Sequence, residues 1–404
     1  MKNDVIVIGG GAAGFFSAIN IAILNPKLNI LILERGKEGL QKVKISGGGR
    51  CNVTHGQFIP NELTLNYPRG EKELLGPFHQ FMTGDTMQWF EERGVKLKIE
   101  EDGRVFPVSN NSQSIIDCFL NEVKRLNIKV LYNHSVKHIS LENNEWLINT
   151  HKQDFNSPKI LVATGSNQKI WNLMNQLNHT IVKPVASLFS FDIKDSRIKS
   201  IPGVVVEDVI INVVNSKLSS DGPLLITHKG MSAPSILKLS AIGALEFESL
   251  NYQFDISINF IKLSYLDCLS KLKFIKNKMS KKMVVNTPNF GIPKRLWKEL
   301  VNYSQIDSKL IWAELNKNQL NLLSTQLTSS IFKVNGKSTF KEEFVTAGGI
   351  DLKEINFKTF ESKIHNNLFF AGEVLNIDAI TGGYNFQNAW TGAYVASKSI
   401  SGIV

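Results

Sequence analysis

The first residues of the chain impose the tightest constraint on its fold. Asp4-Val5-Ile6-Val7-Ile8-Gly9-Gly10-Gly11-Ala12-Ala13-Gly14 opens with a short Val- and Ile-rich run, the pattern of a strand buried on both faces. Gly9, Gly11 and Gly14 then follow G-x-G-x-x-G spacing. Each glycine has its own role: a tight turn, close approach of a pyrophosphate, and close packing of helix on strand. The spacing predicts a helix over roughly residues 12–25, with the free N–H groups of its first turn, at Ala12 and Ala13, aimed at phosphates. A second strand, Asn29-Ile30-Leu31-Ile32-Leu33, ends in Glu34, twenty residues after Gly14, with Arg35 next. An acidic side chain there accepts hydrogen bonds from both ribose hydroxyls of an adenosine. The alternative is a chance glycine turn in an unrelated α/β protein. The combined pattern points to a dinucleotide site, without separating FAD from NAD.

At 404 residues the chain has room for two or three domains. Its 43% apolar and 20% charged residues are those of a soluble globular protein, not a disordered one. The three cysteines, Cys51, Cys118 and Cys268, are far apart in sequence. They form no CxxC redox pair and no zinc-ligand cluster, so no metal site is expected and a reducing cytoplasm is the simple reading. Val5 to Leu24 is long enough to mimic a membrane span. It contains four glycines, however, and Asp4 precedes it without a basic segment. The net charge of +10 suits an anionic partner such as RNA, or an anionic substrate. Many Asn, Ile and Lys residues also fit a lysine-rich proteome.

Lys44-Ile45-Ser46-Gly47-Gly48-Gly49-Arg50-Cys51-Asn52-Val53-Thr54 is the most specific local run. Three successive glycines let backbone N–H groups face an anion as a nest, and Lys44 and Arg50 add positive charge. The run lacks the G-K-[ST] ending of a P-loop. It reads as a lid over a cofactor pyrophosphate and ring edge, against the alternative of a flexible surface turn. Cys51 is a candidate redox or nucleophilic thiol; the competing reading is a small residue packed under the loop. Near the far end, Leu368 to Ala371 reads as another buried strand, followed by Gly372-Glu373 and then Thr381-Gly382-Gly383-Tyr384-Asn385.

With these motifs together, the chain resembles the BaiN/RdsA-type NAD(P)/FAD-dependent oxidoreductases of bacteria over essentially its whole length. The resemblance implies an α/β fold with a Rossmann-like FAD-binding domain formed from both chain ends, residues 1–187 and 341–404. An inserted β-rich, barrel-like domain is expected at 188–240 and 284–340, with a small helical insert at 241–283. It further implies that Glu373 meets the ribityl chain, although relatives often carry the shorter Asp there. The helix after Gly382-Gly383, beginning with Tyr384 and Asn385, would point its N-terminus at the flavin pyrimidine edge. Thr164-Gly165 resembles a segment that returns such chains to FAD, and Val136 is a candidate adenine contact.

Ser112 or Ser114 is placed to cap a helix whose apolar side carries Ile115, Ile116, Phe119, Leu120, Val123 and Leu126. Val204 to Ile211 suggests antiparallel strands. Thr227-His228-Lys229-Gly230-Met231-Ser232-Ala233-Pro234 resembles the family's T-H-x-G-x-S-G-P loop, with Ala233 in place of glycine. His228 is the leading candidate proton donor, against a hydrogen-bonded structural role. Lys271, Lys273, Lys276, Lys278, Lys281 and Lys282 form a basic run that fits either a phosphate backbone or a solvated helix face. Leu263, Leu266, Leu269 and Leu272 suggest one packed apolar stripe.

Only one complete dinucleotide fingerprint is present, so NAD(P)H is expected to visit the open flavin face as a transient donor. The expected reaction passes hydride from NAD(P)H through flavin to a polarised C=C bond. The resemblance implies two substrate classes: a uridine in large-subunit ribosomal RNA, giving dihydrouridine, or an unsaturated steroid-like molecule. Charge tilts the reading to RNA, whose base must be unstacked to react. Phe344 to Ile350 also resembles the fumarate reductase and aspartate oxidase group, giving a small-molecule dehydrogenase as an alternative. A non-catalytic RNA-binding flavoprotein is another.

Overall fold

A computed structural model describes residues 3–338 and 345–403, so Phe344 of the segment just named lies outside the described residues. The chain divides into two units, residues 1–185 with 341–404, and residues 186–340.

The first unit is built on a seven-stranded sheet in the order Ile355–Asn356, Glu361–Ser362, Leu368–Phe370, Lys159–Val162, Val5–Ile8, Ile30–Leu33, Lys129–Leu131. The last five are mutually parallel. All residues of Val5–Ile8 and Ile30–Leu33 are buried, as a parallel sheet covered on both faces requires. Helix Ala12–Leu24 follows the first strand, and helix Tyr384–Ile400 packs on it: Ser397 Oγ donates to Ser17 O at 3.1 Å. Phe16 meets Trp89 and Trp390 at 4.6 and 5.2 Å between ring centres, and Phe119 reaches both tryptophans. Such aromatic pairs add about 0.5–1.5 kcal/mol each beyond the area they bury. This core fixes the two chain ends against each other.

The helix Gln113–Arg125 forms with Ile115, Phe119 and Val123 buried, while Leu120 faces out. Neither proposed serine caps it. Ser112 Oγ instead donates to Lys44 O at 2.8 Å and its N–H donates to Gly49 O at 2.9 Å, while Asn111 Oδ1 accepts from Gln113 N. The serine therefore ties this helix to the glycine-rich loop.

In the second unit six strands close a barrel in the order Ser190–Ile193, Gly230–Ser232, Ser219–Ile226, Val205–Val213, Phe254–Asn259, Ser330–Ser338. The strand Phe254–Asn259 falls inside the stretch 241–283 expected to be a helical insert. Its alternation is the cause: Phe254, Ile256 and Ile258 are buried, a period of two that fits a strand. Helices Ala244–Ser249 and Tyr265–Lys278 do lie within that stretch, and further helices follow it at Lys294–Tyr303 and Lys317–Thr328, where β-rich chain was expected. The leucine stripe is also corrected. Leu263 precedes the helix, Leu266 is 73% exposed and Leu272 is buried. Steps of three drift around a 3.6-residue helix, so the buried seam instead follows Cys268 and Leu272, four apart.

Ala233 explains why glycine is usual in the loop it belongs to. It precedes helix Pro234–Ile242 with φ 83° and ψ 174°, a region essentially reserved for glycine. Strain there costs about 1–3 kcal/mol, and glycine gives back about 0.4–1 kcal/mol through the unfolded chain. Ala233→Gly is expected to raise unfolding free energy by about 1–2 kcal/mol in urea titrations; a loss of stability would contradict the strain.

Candidate flavin site

The carboxyl ends of four neighbouring parallel strands converge at Gly9, Glu34, Ala163 and Ala371. Ligands in open α/β sheets bind at such an edge. Gly9 has φ 114°, and a side chain there would meet Ala163 O at 2.5 Å; one on Gly14 would meet Gly9 O at 1.9 Å. Backbone contact therefore sets the turn and brings the helix onto it. Gly11 faces open space, with nothing within 4 Å of a would-be side chain. Helix Ala12–Leu24 has Gly11 as its N-cap, no side-chain cap and no acid in its first turn. Its leading N–H groups, at Ala12 and Ala13, suit a pyrophosphate.

Glu34 holds the turn directly: its Oε2 accepts from Gly10 N at 2.7 Å and its Oε1 from Gly36 N at 2.6 Å. A carboxylate has about four acceptor positions, which leaves two for ribose hydroxyls. His134 N donates to Glu34 O and Asn133 N to Gly36 O, both at 2.8 Å, bringing the stretch that leads to buried Val136 alongside. Arg35 is exposed.

The glycine-rich run ends the helix Gln41–Gly49 in an unusual turn. Gly47, Gly48, Gly49 and Cys51 have φ of 57°, 67°, 82° and 61°. Cys51 N donates to Ser46 O at 3.0 Å, and Ser46 Oγ donates to Val43 O. A side chain on Gly48 or Gly49 would meet nothing within 4 Å, so both backbones border open space, as a nest requires. The cations are arranged differently from expectation. Arg50 donates to Glu100 Oε1 at 2.7 Å and lies 3.8 Å over the Phe106 ring, so it anchors the loop. Lys44 is exposed. Lys42, which the motif did not single out, pairs with Glu373 at 2.5 Å. Glu373 thus has a basic partner beside Gly165, whose would-be side chain would lie 3.6 Å from Glu373 Oε2.

Gly372 fits between the starts of the two helices: a side chain there would touch Ala13 and Ala389 Cβ atoms at 3.3 and 3.7 Å. Helix Tyr384–Ile400 has Gly383 as its N-cap, again without side-chain cap or first-turn acid. A side chain on Gly383 would meet Thr54 O at 2.5 Å and Asn52 Oδ1 at 2.8 Å, while Gly382 has φ 136°. His55 stacks on Tyr384 at 4.7 Å and was not singled out in the sequence. Its position directly after the glycine-arginine-cysteine run was the available signal. Asn385 is occupied within the chain: its Nδ2 donates to Ala379 O and its Oδ1 accepts from Ala379 N. It shapes the loop rather than offering its amide to a ligand. A bidentate Arg69–Asp378 pair, with Asp378 fully buried, braces the same loop.

Several buried polar atoms here have no hydrogen-bond partner: Asn52 Oδ1, Thr164 Oγ1 and both amide atoms of Asn388. Such orphans are costly unless a bound polar group satisfies them. Asn52 and Thr164 adjoin two helix starts, the nest, Glu34 and Glu373. The donor set fits FAD, with phosphate at the first helix, ribose at Glu34 and the flavin edge near the second.

Cys51 does not fit a nucleophile. It is fully buried, and burial pushes its thiol up to about 12 despite the Ser46 hydrogen bond. His228 lies exposed in the barrel turn between Ser219–Ile226 and Gly230–Ser232, in the second unit. A Ser362–His179–Glu354 chain, at 3.1 and 2.8 Å, could be mistaken for a hydrolytic triad. Ser362 Oγ already accepts from Ile364 and His365 N–H groups, so this chain is a structural brace.

Fold and site define a Rossmann-type, FAD-dependent oxidoreductase. The chain belongs to the HI0933-like family, whose description, HI0933-like protein Rossmann domain, matches residues 3–399. It is 26% identical to a ribosomal RNA dihydrouridine synthase of Escherichia coli (strain K12), covering 98% of each chain. It is 24% identical to a 3-dehydro-bile acid delta(4,6)-reductase of Clostridium scindens, again covering 98% of each. Among solved structures, 3-ketosteroid-delta4-(5alpha)-dehydrogenase from Rhodococcus jostii RHA1 shares the fold, with a TM-score of 0.52 at 12% identity over 99% of this chain and 97% of that one. Among the described residues no helix is long and apolar enough to cross a membrane.

Glu34→Ala removes two turn anchors, to Gly10 N and Gly36 N, together with the carboxylate positions left open for a ribose. Bound flavin, followed by its visible absorbance, is expected to fall in affinity at least about tenfold, since each hydrogen bond to a charged group contributes about 1.5–3 kcal/mol; full retention would reject the ribose assignment. With Cys51 and Cys118 both raised to about 12, the native thiolate fraction at pH 8 is about one in ten thousand. A disulfide-forming thiol reagent is therefore expected to label them only as the protein unfolds, and rapid labelling of Cys51 would restore it as a reactive group.

Proposed function

We propose that this enzyme uses NAD(P)H to reduce a uridine in large-subunit ribosomal RNA to dihydrouridine. The end-to-end likeness to a ribosomal RNA dihydrouridine synthase carries the substrate assignment. Bound FAD would supply the hydride-transfer chemistry. The N–H groups of Gly11, Ala12 and Ala13 hold its pyrophosphate, Glu34 its adenosine ribose, and Val136 borders the adenine. The run from Lys44 to Asn52 covers the pyrophosphate and ring edge. Thr164, Gly165, Gly372 and Glu373, the last held by Lys42, face the ribityl side. Gly382, Gly383 and Tyr384 set the final helix start at the pyrimidine edge, where its dipole favours negative charge. The nicotinamide donor uses the open flavin face, since the chain carries one fingerprint only. His228 is the proposed proton donor to the substrate. The site of action is the cytoplasm.

A second reading is reduction of an unsaturated ketone-type small molecule, which the bile-acid reductase relative supports. Dihydrouridine mapping of ribosomal RNA from cells with and without the gene separates the two. Loss of one modified position, restored by purified protein with NAD(P)H, is the expected result. An unchanged map, together with turnover of an unsaturated ketone, would replace the first reading by the second. His228→Gln is expected to slow substrate reduction about 100-fold, the range of a lost general acid; unaltered turnover would remove it from the reaction.

A further inference from the structure

The chain's positive charge is concentrated in one place. Residues 265–328 carry eleven Lys and Arg against four Asp and Glu, a net +7, while the other 340 residues amount to +3. Among the described residues, none of those eleven basic side chains is in an ion pair; the second unit's pairs are instead Arg197–Asp195 and Lys262 with Asp208 and Asp221. Helices Tyr265–Lys278 and Lys317–Thr328 border a cleft of about 380 Å³ whose lining includes Lys273, Lys276, Asn277, Lys317, Leu320 and Asn321. Lys276 is held in place by donating to Leu315 O at 2.5 Å. On the first of these helices Phe274 is 66% exposed, with Lys278 Nζ 6.0 Å from its ring centre. An exposed aromatic among unpaired cations is the combination that stacks a base while neighbouring charges hold phosphates.

We infer that this two-helix cleft is an RNA-docking surface: Lys273, Lys276 and Lys317 take backbone phosphates, Asn277 and Asn321 offer hydrogen bonds, and Phe274 stacks an unpaired base. The inference rests on the RNA reading of the active site but assigns a separate surface to substrate capture. Charge complementarity selects a polyanion. The exposed ring and the amide-lined cleft favour a single-stranded RNA segment over a flat anionic membrane.

The test uses full-length, FAD-loaded protein and an unmodified large-subunit ribosomal RNA transcript, with binding measured across a salt series. Lys273→Glu with Lys317→Glu is expected to weaken binding at least about tenfold and to flatten the salt dependence by about 1.4–1.8 in log–log slope. Phe274→Ala is expected to weaken it about tenfold with the slope unchanged, because stacking releases no counterions. Far-UV circular dichroism and thermal unfolding, compared with the wild type, report whether each variant is folded. Unchanged RNA affinity in folded variants overturns the surface, as does tighter binding to phosphatidylserine-rich vesicles than to RNA. If the variants lose RNA binding but the wild-type protein makes no dihydrouridine, the surface stands and the proposed reaction fails. If wild-type and charge-reversed proteins make dihydrouridine with equal kcat/KM, the reaction stands and the surface fails.

Discussion

Backbone-to-backbone contact at Gly9 and Gly14 is the constraint on which the first unit depends. A side chain on Gly14 would lie 1.9 Å from Gly9 O, and one on Gly9 2.5 Å from Ala163 O. No rotamer change relieves either clash, because the obstructing atoms are main chain. The contact sets the helix Ala12–Leu24 directly on the strand Val5–Ile8 and draws in the strand Lys159–Val162. That strand pairs in turn with Leu368–Phe370, so the end of the chain reaches the same edge. The long excursion between the ends is then a matter of loop closure, whose entropic cost grows only slowly with length.

Much of this was legible in the sequence because it is local. The first strand, the glycine spacing and Glu34 lie within thirty-one residues, and their geometry follows from near-neighbour rules. The closing segment around Gly372 and Gly383 was legible for the same reason. What the sequence hid are partnerships across long separations. Lys42 meets Glu373 and Arg69 meets Asp378, each more than 300 residues apart. No periodicity marks such pairs. Ser112 shows a subtler case: a residue type suited to capping gives its hydroxyl to Lys44 O, because tertiary contact with the glycine loop outcompetes the local bond. The bounds of the helical insert differ for another reason: Phe254 to Asn259 alternates as a strand inside it, and helices continue past residue 283, where the resemblance implied β-rich chain.

Ala233 shows how a single residue can depart from a backbone requirement without changing the fold. The turn into helix Pro234–Ile242 retains a conformation natural to glycine, with φ 83°. The surrounding structure holds it: Ser235 Oγ donates to Pro223 O at 2.7 Å, part-buried, and Ser220 Oγ to Ser235 O at 2.6 Å, buried. Two such bonds, at roughly 1 kcal/mol each, offset strain of the same order. The loop geometry that holds His228 and Gly230 is thus set by the barrel, not by the identity of residue 233.

The two units also treat charge in opposite ways, and the contrast bears on function. Around the flavin site three cations are committed, Arg50 to Glu100, Lys42 to Glu373 and Arg69 to buried Asp378, while Arg35 and Lys44 are exposed. The groups left to meet a phosphate there are backbone N–H groups at helix starts and in the nest, whose dipoles are fixed and carry no long side chain to order. Between Tyr265 and Thr328 the described cations make no ion pairs, which leaves their charge available to a polyanion. Paired charges would hold a surface rigid and neutral; leaving them unpaired keeps the Coulomb field available to a partner and makes its capture dependent on salt.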